Sequence, residues 1–171
     1  DEPANGALRA AYLGNKVAVT PHPRAHALYA DKRNLVALSD DAFLQALGVD
    51  ARDRDVLARG VPATRAVTPD NADAFWAERK QWFFKPVAGF GSRGAYRGSK
   101  LTKRVFEDIA QGGFIAQALV APSERGVLID GAEHRLKLDL RNFAYRDTVQ
   151  IVSARLYQGQ ATNFRTRGGG F

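Results

Sequence analysis

A lysine followed by a glycine-rich loop is the feature of this sequence best suited to chemistry. Residues 83–94 read Phe-Phe-Lys-Pro-Val-Ala-Gly-Phe-Gly-Ser-Arg-Gly. Glycine reaches backbone angles closed to other residues and lets the main chain approach a ligand closely. The loop glycines are Gly89, Gly91 and Gly94. Their N–H groups, the Ser92 hydroxyl and the cations of Lys85 and Arg93 make the kind of nest that holds phosphate oxygens.

The same segment admits a second interpretation. Its spacing differs from the Gly-x-x-x-x-Gly-Lys-Ser/Thr pattern of a Walker loop. Phe83 and Phe84 favour a strand, and pairing of 82–86 with 94–98 makes the glycines only the flexible connection of a β-hairpin. The pattern alone leaves both interpretations open.

Composition limits the other kinds of chemistry. The 171 residues include no cysteine, which excludes disulfides, thiolate catalysis and cysteine-bound metals. The 25 Lys and Arg against 18 Asp and Glu give a net charge of +7, and the basic residues are spread along the chain. This balance favours an anionic ligand, whether a nucleotide, a polynucleotide or a carboxylate.

The sequence also bears on location. No apolar run approaches the roughly 20 residues that span a bilayer, and the start, Asp-Glu-Pro, lacks the basic and apolar stretches of a secretory signal. We therefore expect a cytoplasmic protein with no membrane partner. Since methionine is absent even at position 1, we expect these residues to be part of a longer chain.

Local patterns predict the elements that position these groups. Five helices are predicted. The first begins at Asp31, the second follows a cap at Ser39, and the fourth follows Thr68-Pro69. The third and fifth cover 50–59 and 101–111. The predicted strands are 15–20, 65–67, 82–86, 94–98, 114–120, 126–129, 133–145 and 148–157. Asp130-Gly131 and Arg146-Asp147 are the expected hairpin turns. The mixture predicts an α+β fold.

Charged and apolar residues alternate along the strand predicted at 133–145. Leu136, Leu138 and Leu140 occupy one face, which predicts core. The opposite face carries Arg135, Lys137, Asp139 and Arg141. That row is either an ordinary solvated sheet face or part of a site.

Taken in order, these segments resemble the ATP-grasp superfamily of ATP-dependent carboxylate ligases. The closest resemblance is to the branch that includes the ribosomal-protein glutamate ligases. The matching segments are Asp31-Lys32, Gly60-Val61-Pro62-Ala63-Thr64, Lys85-Pro86 with the glycine loop, 114–120, Asp139-Leu140-Arg141, Arg155, and Asn163 to Gly169. Each segment is short, and the resemblance depends on their shared order.

The resemblance implies an ATP-grasp-like α+β fold with two small lobes, mostly antiparallel sheets and an incomplete C-terminal side. It predicts a pre-ATP-grasp or linker region at 1–68, a glycine-loop lobe at 69–120 and part of a C-terminal lobe at 121–171.

The resemblance also implies roles for single residues, with ATP held between two lobes. The groups expected to contact its phosphates are Lys32, Lys85, Gly89, Gly91, Ser92 and Arg93. Gln117 and the backbone near Leu119 are expected to bind adenine. The catalytic residues are expected to be Arg141, Arg155 and Asn163, with the arginines stabilising charge on the transferring phosphoryl group or acyl phosphate. The implied reaction is ATP- and Mg²⁺-dependent joining of an unidentified carboxylate to an unidentified amine.

The sequence departs from the family at the metal site. In the family, Mg²⁺ usually rests on an acid from one strand and a Glu-x-Asn pair on the next, and this sequence has no Glu-x-Asn. Asp139 is a candidate metal ligand whose other expected role is pairing with Lys137 or Arg141. Two explanations stay open: a metal strand after Phe171, or a degenerate lobe that binds nucleotide without turning it over.

The sequence is also compatible with other classes of function. His22 and His26 lie four residues apart, and His134 is the only other histidine; a zinc site lacks a convincing third ligand, so we expect surface or structural roles. A nucleic-acid-binding module is supported by the basic balance and by Phe143 and Tyr145 among basic residues. The sequence lacks a recognised RNA- or DNA-binding motif, which argues against that module. A structural lobe of a larger assembly is the third alternative.

Overall fold

Two small antiparallel sheets, each with its own part of the chain, organise an α+β fold. The computed structural model describes residues 3–91, 93–159, 162–163 and 165–170. The chain divides into a first unit, Asp1–Ala118, and a second unit, Leu119–Phe171. The predicted α+β class, with mostly antiparallel sheets, is confirmed.

The first unit contains the helices of the described chain. They are α1 Gly6–Leu13, α2 Pro23–Tyr29, α3 Asn34–Leu38, α4 Asp41–Ala46, α5 Ala51–Gly60, α6 Ala72–Ala77 and α7 Lys103–Ala110. Short 3₁₀ turns occur at Pro3–Asn5, Pro69–Asn71, Arg79–Gln81 and Gly98–Lys100. None of the helices in the described ranges has the length and apolar character needed to cross a bilayer.

Two local predictions in the helical region are wrong. The predicted strand at 15–20 does not form, and its first residues instead close the end of α1, where the Lys16 N–H donates to the Ala11 carbonyl. The predicted Ser39 cap is replaced by Asp40, whose carboxylate accepts the Phe43 N–H at 3.0 Å. Ser39 instead forms a tertiary hydrogen bond with Thr64.

The first sheet has the strand order β1-β4-β2-β3, with every pairing antiparallel. Its strands are β1 Thr64–Ala66, β2 Trp82–Pro86, β3 Tyr96–Arg97 and β4 Phe114–Ala118. The predicted hairpin is confirmed, since Phe83 lies opposite Arg97 and Phe84 opposite Tyr96. The loop that joins β2 to β3 is the glycine loop.

The two faces of this sheet differ in chemistry because side chains alternate along each strand. Phe84 and Ala116 are fully buried on one face, where they belong to a core cluster with Phe106 and Ile109 of α7. On the other face, Thr64 lies opposite Gln117. Lys85 shares that face, because it is two residues beyond Phe83, which also pairs with Gln117. The apolar face therefore supports the sheet and leaves a polar row on the opposite face.

The second unit is a three-stranded antiparallel sheet of order β5-β6-β7. Its strands are β5 Ser123–Ile129, β6 Ala132–Tyr145 and β7 Thr148–Tyr157. The first predicted turn is confirmed: Asp130 and Gly131 both have positive φ, 51° and 79°, as a tight two-residue hairpin turn requires.

The predicted apolar face of β6 is only partly core. Leu136 is fully buried, but Leu140 is 63% exposed. Pairing between β5 and β6 ends at Ser123 and Leu138, so the sheet is two-stranded around Leu140. The exposed end of this face therefore lies where β5 no longer flanks β6.

Candidate functional site

The glycine loop has the backbone geometry expected from its sequence. Gly89, Gly91 and Gly94 have φ values of 115°, 65° and 65°, a region that other residues rarely adopt. Phe90 between them is 81% exposed. Ser92, predicted to contact phosphate, lies outside the described residues.

Lys32 is bonded to the start of this loop. Its ammonium donates a hydrogen bond to the Gly89 carbonyl at 2.9 Å, and its backbone N–H donates to the Val87 carbonyl at the same distance. Both bonds bring the segment that precedes α3 against the loop after β2. The sequence separation is 57 residues, so the contact is purely tertiary.

Lys85 lies on the polar face of the first sheet, where its ammonium donates to the Gln117 side-chain carbonyl at 2.6 Å. Burial lowers the pKa of Lys85, and the nearby charge of Lys32 lowers it further. Within the described ranges, no carboxylate forms an ion pair with either lysine. The site therefore holds two neighbouring cations whose charges are not neutralised, an arrangement that an anion stabilises.

Gln117 is held at both ends of its amide. Its Oε1 accepts from Lys85, and its Nε2 donates to the Thr64 hydroxyl at 3.1 Å. The Thr64 hydroxyl in turn donates to the Pro62 carbonyl at 2.8 Å. Thr64 was part of the Gly-Val-Pro-Ala-Thr segment noted in the sequence, but its link to the lysine was not predicted.

The other residues predicted to bind nucleotide lie near this site along the chain. The Arg93 guanidinium carbon is 5.7 Å from the centre of the exposed Phe90 ring. Leu119 directly follows β4 and is half-buried, but it is the first residue of the second unit. The structure thus brings together Lys32, Lys85, Gly89 and Gln117.

The second unit has a different cluster, centred on Asp139. The Arg155 Nε donates to one carboxylate oxygen and the Thr162 hydroxyl donates to the other, both at 2.6 Å. Burial raises the pKa of Asp139, but these hydrogen bonds and the nearby Arg141 outweigh it and hold the pKa below its ordinary value. Asp139 pairs with Arg155 instead of the expected partners Lys137 and Arg141.

Arg141 lies two positions along β6 from Asp139. Its guanidinium carbon is 5.6 Å from the centre of the Phe143 ring. The residue opposite Arg141 is Ser153, whose buried hydroxyl has no hydrogen-bond partner among the described residues. Arg141 and Arg155 therefore share one face of the second sheet, and only Arg155 is joined to a carboxylate in the described ion pairs.

Asn163 organises the loop that follows β7. Its side-chain carbonyl accepts from the Arg165 N–H at 3.0 Å and from the Thr166 hydroxyl at 3.1 Å. Its amide nitrogen donates to the Gln158 carbonyl at 2.7 Å. The predicted catalytic role stays a prediction, while these bonds give Asn163 a structural role.

Metal-binding side chains do not cluster in the described ranges. They contain no cluster of three or more His, Asp or Glu side chains able to hold a metal ion. His22 has a local function, since its Nδ1 accepts the Arg24 N–H at 3.2 Å at the start of α2. The assignment of Asp139 to a metal stays a prediction.

Comparisons of this chain with models of known families, with curated proteins and with solved structures find no match in any of the three.

Proposed function

We propose that this chain is the ATP-binding part of an ATP-grasp-like ligase that activates a carboxylate as an acyl phosphate and joins it to an amine. The observation that carries the proposal is the pair Lys32 and Lys85 beside the glycine loop. Both ammonium groups donate to neutral carbonyl oxygens, so their net charge remains available to an anion.

The loop supports a phosphate ligand in particular. Backbone N–H groups in a glycine-rich turn and adjacent ammonium groups are the donors that phosphate oxygens accept from. A hydrogen bond to a charged group contributes about 1.5–3 kcal/mol. Two such bonds from the lysines are enough to favour a polyphosphate over a neutral ligand.

The reaction follows from the resemblance and from charge. A carboxylate oxygen attacks the γ-phosphorus of ATP, the bond to the bridging oxygen breaks and ADP leaves. An amine then attacks the acyl carbon and displaces phosphate. The first step brings two anions together, and cations fixed in advance lower such a barrier. We assign Lys32 and Lys85 to the nucleotide phosphates, and the roles of Arg141 and Arg155 stay as the resemblance implies them.

Mg²⁺ does not fit the described residues as a protein-bound ion. Those residues provide no cluster of three ligands, and both oxygens of Asp139 already accept hydrogen bonds. We derive no catalytic step through Mg²⁺ and supply it in the tests only as the usual companion of ATP.

Thermal unfolding with and without ATP plus Mg²⁺ tests the proposal. Ligand at about 100 times its Kd stabilises a protein by roughly 2.7 kcal/mol, which raises the Tm of a chain of this size by about 5–10 °C. We expect that rise in the native chain and in Lys80→Ala, an exposed-lysine control. We expect the rise to fall to about half or less in Lys85→Ala, because a roughly ten- to hundredfold loss of affinity leaves only about 0.4–1.4 kcal/mol of stabilisation. An equal rise in all three proteins, or none in any, contradicts the proposal.

A second candidate, a nucleic-acid-binding surface, is favoured by aromatic and basic neighbours at the far end of β6. The guanidinium carbons of Arg141 and Arg146 lie 5.6 and 5.4 Å from the Phe143 and Tyr145 rings. Exposed aromatic rings among cations stack on single-stranded bases. Its test is polynucleotide affinity that falls steeply with salt and is insensitive to Lys85→Ala.

A further inference from the structure

We propose that Thr64 fixes the orientation of the Gln117 amide, and that Gln117 thereby acts on the phosphates through Lys85 and not on the adenine base. The inference rests on the proposed phosphate site. It replaces the role that the resemblance implied for Gln117 and adds a positioning residue, Thr64, to the site.

The direction of each hydrogen bond follows from the Pro62 carbonyl. A carbonyl oxygen can only accept, so the Thr64 hydroxyl hydrogen points to it across 2.8 Å. The hydroxyl oxygen is left to accept from Gln117, and only the amide nitrogen of Gln117 can donate. The opposite end of the amide, Oε1, therefore faces Lys85.

This orientation determines what Lys85 can do. A neutral amide oxygen holds the ammonium in place without cancelling its charge, whereas a carboxylate at the same position would cancel it. The reverse amide orientation would place N–H groups against the ammonium and repel it. Thr64 thus selects the one orientation that both positions Lys85 and preserves its charge for an anion.

Thr64 is also hydrogen-bonded to the end of α3, the helix that follows the other lysine. It is 4% exposed, and its backbone N–H donates to the Ser39 hydroxyl at 3.1 Å. Ser39 directly follows α3, and Lys32 lies two residues before α3 begins at Asn34. One buried residue therefore connects the segments that present Lys32 and Lys85.

Two ligands separate a phosphate role from a base role. We would measure the affinities of the native chain, Thr64→Val and Thr64→Ser for ATP and for inorganic triphosphate, which has no base. Thr64→Val keeps the branched shape but removes the hydroxyl, and Thr64→Ser keeps the hydroxyl. We expect Thr64→Val to weaken both ligands equally, by about tenfold, the loss expected for one net hydrogen bond. We expect Thr64→Ser to bind both ligands within about twofold of the native chain.

Two results overturn the inference. One is a loss of ATP affinity in Thr64→Val with triphosphate affinity intact, which would assign Gln117 to the base. The other is unchanged affinity for both ligands.

A ligand-free measurement keeps this inference separate from the proposed function. The pKa of Lys85 can be followed by NMR of labelled lysine side chains. We expect Thr64→Val to lower it below the native value, because the charged ammonium loses its oriented acceptor, and Thr64→Ser to leave it unchanged. If Thr64→Val does not fold, Gln117→Leu is expected to produce the same lowering. An unchanged pKa of Lys85 in these variants overturns the inference. A native chain that binds neither ligand contradicts only the proposed function.

Discussion

The two units hold their candidate site cations in different ways. In the first unit, Lys32 and Lys85 donate to a backbone carbonyl and a side-chain amide, both neutral. In the second unit, Arg155 donates to the Asp139 carboxylate, and Arg167 pairs with Asp130. A cation with a neutral partner keeps its net charge for a ligand, whereas one with a carboxylate mainly stabilises its own unit. This difference places the phosphate site in the first unit in our proposal.

Carboxylates do not hold all the candidate site cations of the second unit. Arg141 lies beside Phe143 and forms none of the described ion pairs, so it resembles the first-unit lysines more than it resembles Arg155. We therefore expect Arg141 to contribute more to anion binding than Arg155, and Arg155 to contribute more to stability.

The largest expected effect is the loss of the Lys85 charge. In Lys85→Met the apolar part of the side chain is retained and the ammonium is removed. Since a charge-assisted hydrogen bond contributes about 1.5–3 kcal/mol, ATP affinity should fall by roughly ten- to hundredfold. Isothermal titration calorimetry measures the change. Lys80→Met removes the same charge at an exposed position and should bind like the native chain, and similar losses in both variants would point to non-specific attraction.

The next largest effect is expected when a cation of the first unit receives a carboxylate partner, as Arg155 has in the second. Gln117→Glu places a carboxylate beside Lys85, as Asp139 lies beside Arg155. We expect the pKa of Lys85 to rise and ATP affinity to fall by about tenfold, because the ammonium is neutralised. NMR titration and calorimetry measure these two quantities. ATP binding at native strength would show that the charge of Lys85 is not the basis of the site.

Removing the carboxylate from the second unit should instead reduce stability. Asp139→Asn leaves the partly buried Arg155 without its ion pair, and we expect the free energy of unfolding to fall by about 1–2 kcal/mol at neutral pH. Urea unfolding measures the change. The matched control is Asp55→Asn, which breaks the exposed pair with Arg59 and should change stability by no more than about 0.5 kcal/mol. Equal losses of stability in Asp139→Asn and Asp55→Asn would show that the partly buried pair contributes no more than an exposed one.

The smallest effect is the pH dependence of that loss. Because the folded pKa of Asp139 lies below its ordinary value, its contribution is complete above the unfolded carboxyl pKa of about 3.9. It is lost as the pH falls through the folded value. The stability difference between the native chain and Asp139→Asn should therefore be constant near neutrality and shrink in acid. A difference that grows on acidification would reverse the assigned sign.

Much of the fold was predictable because its signals are local. Alternation along β6 and the Asp130-Gly131 turn predicted the β5-β6 hairpin, and the aromatic run before the glycine loop predicted β2. Ser39 and Asp40 show where local signals stop. Both are good capping residues, and Asp40 caps the helix while Ser39 bonds to Thr64, 25 residues away.

In the candidate site, too, some features could be predicted from local sequence and others depend on tertiary contacts. Residue types alone marked Lys85 and the glycines, because few other residues suit those positions. The partnership of Lys85 with Gln117 depends on how β2 and β4 pair, and Thr64 joins them only through the pairing of β1 with β4. Strand register is set by packing of the whole sheet, so this hydrogen-bond chain could not be found by reading segments separately.

Titration of ATP plus Mg²⁺ into the ¹⁵N-labelled chain, followed by amide chemical shifts, is the sharpest test of the phosphate site. We expect saturable shifts at Lys32, Gly89 and Gly91, and the same pattern with inorganic triphosphate. Shifts confined to β6 and β7 near Arg141 and Phe143, or no shifts at saturating ligand, would contradict binding of the phosphates at the glycine loop.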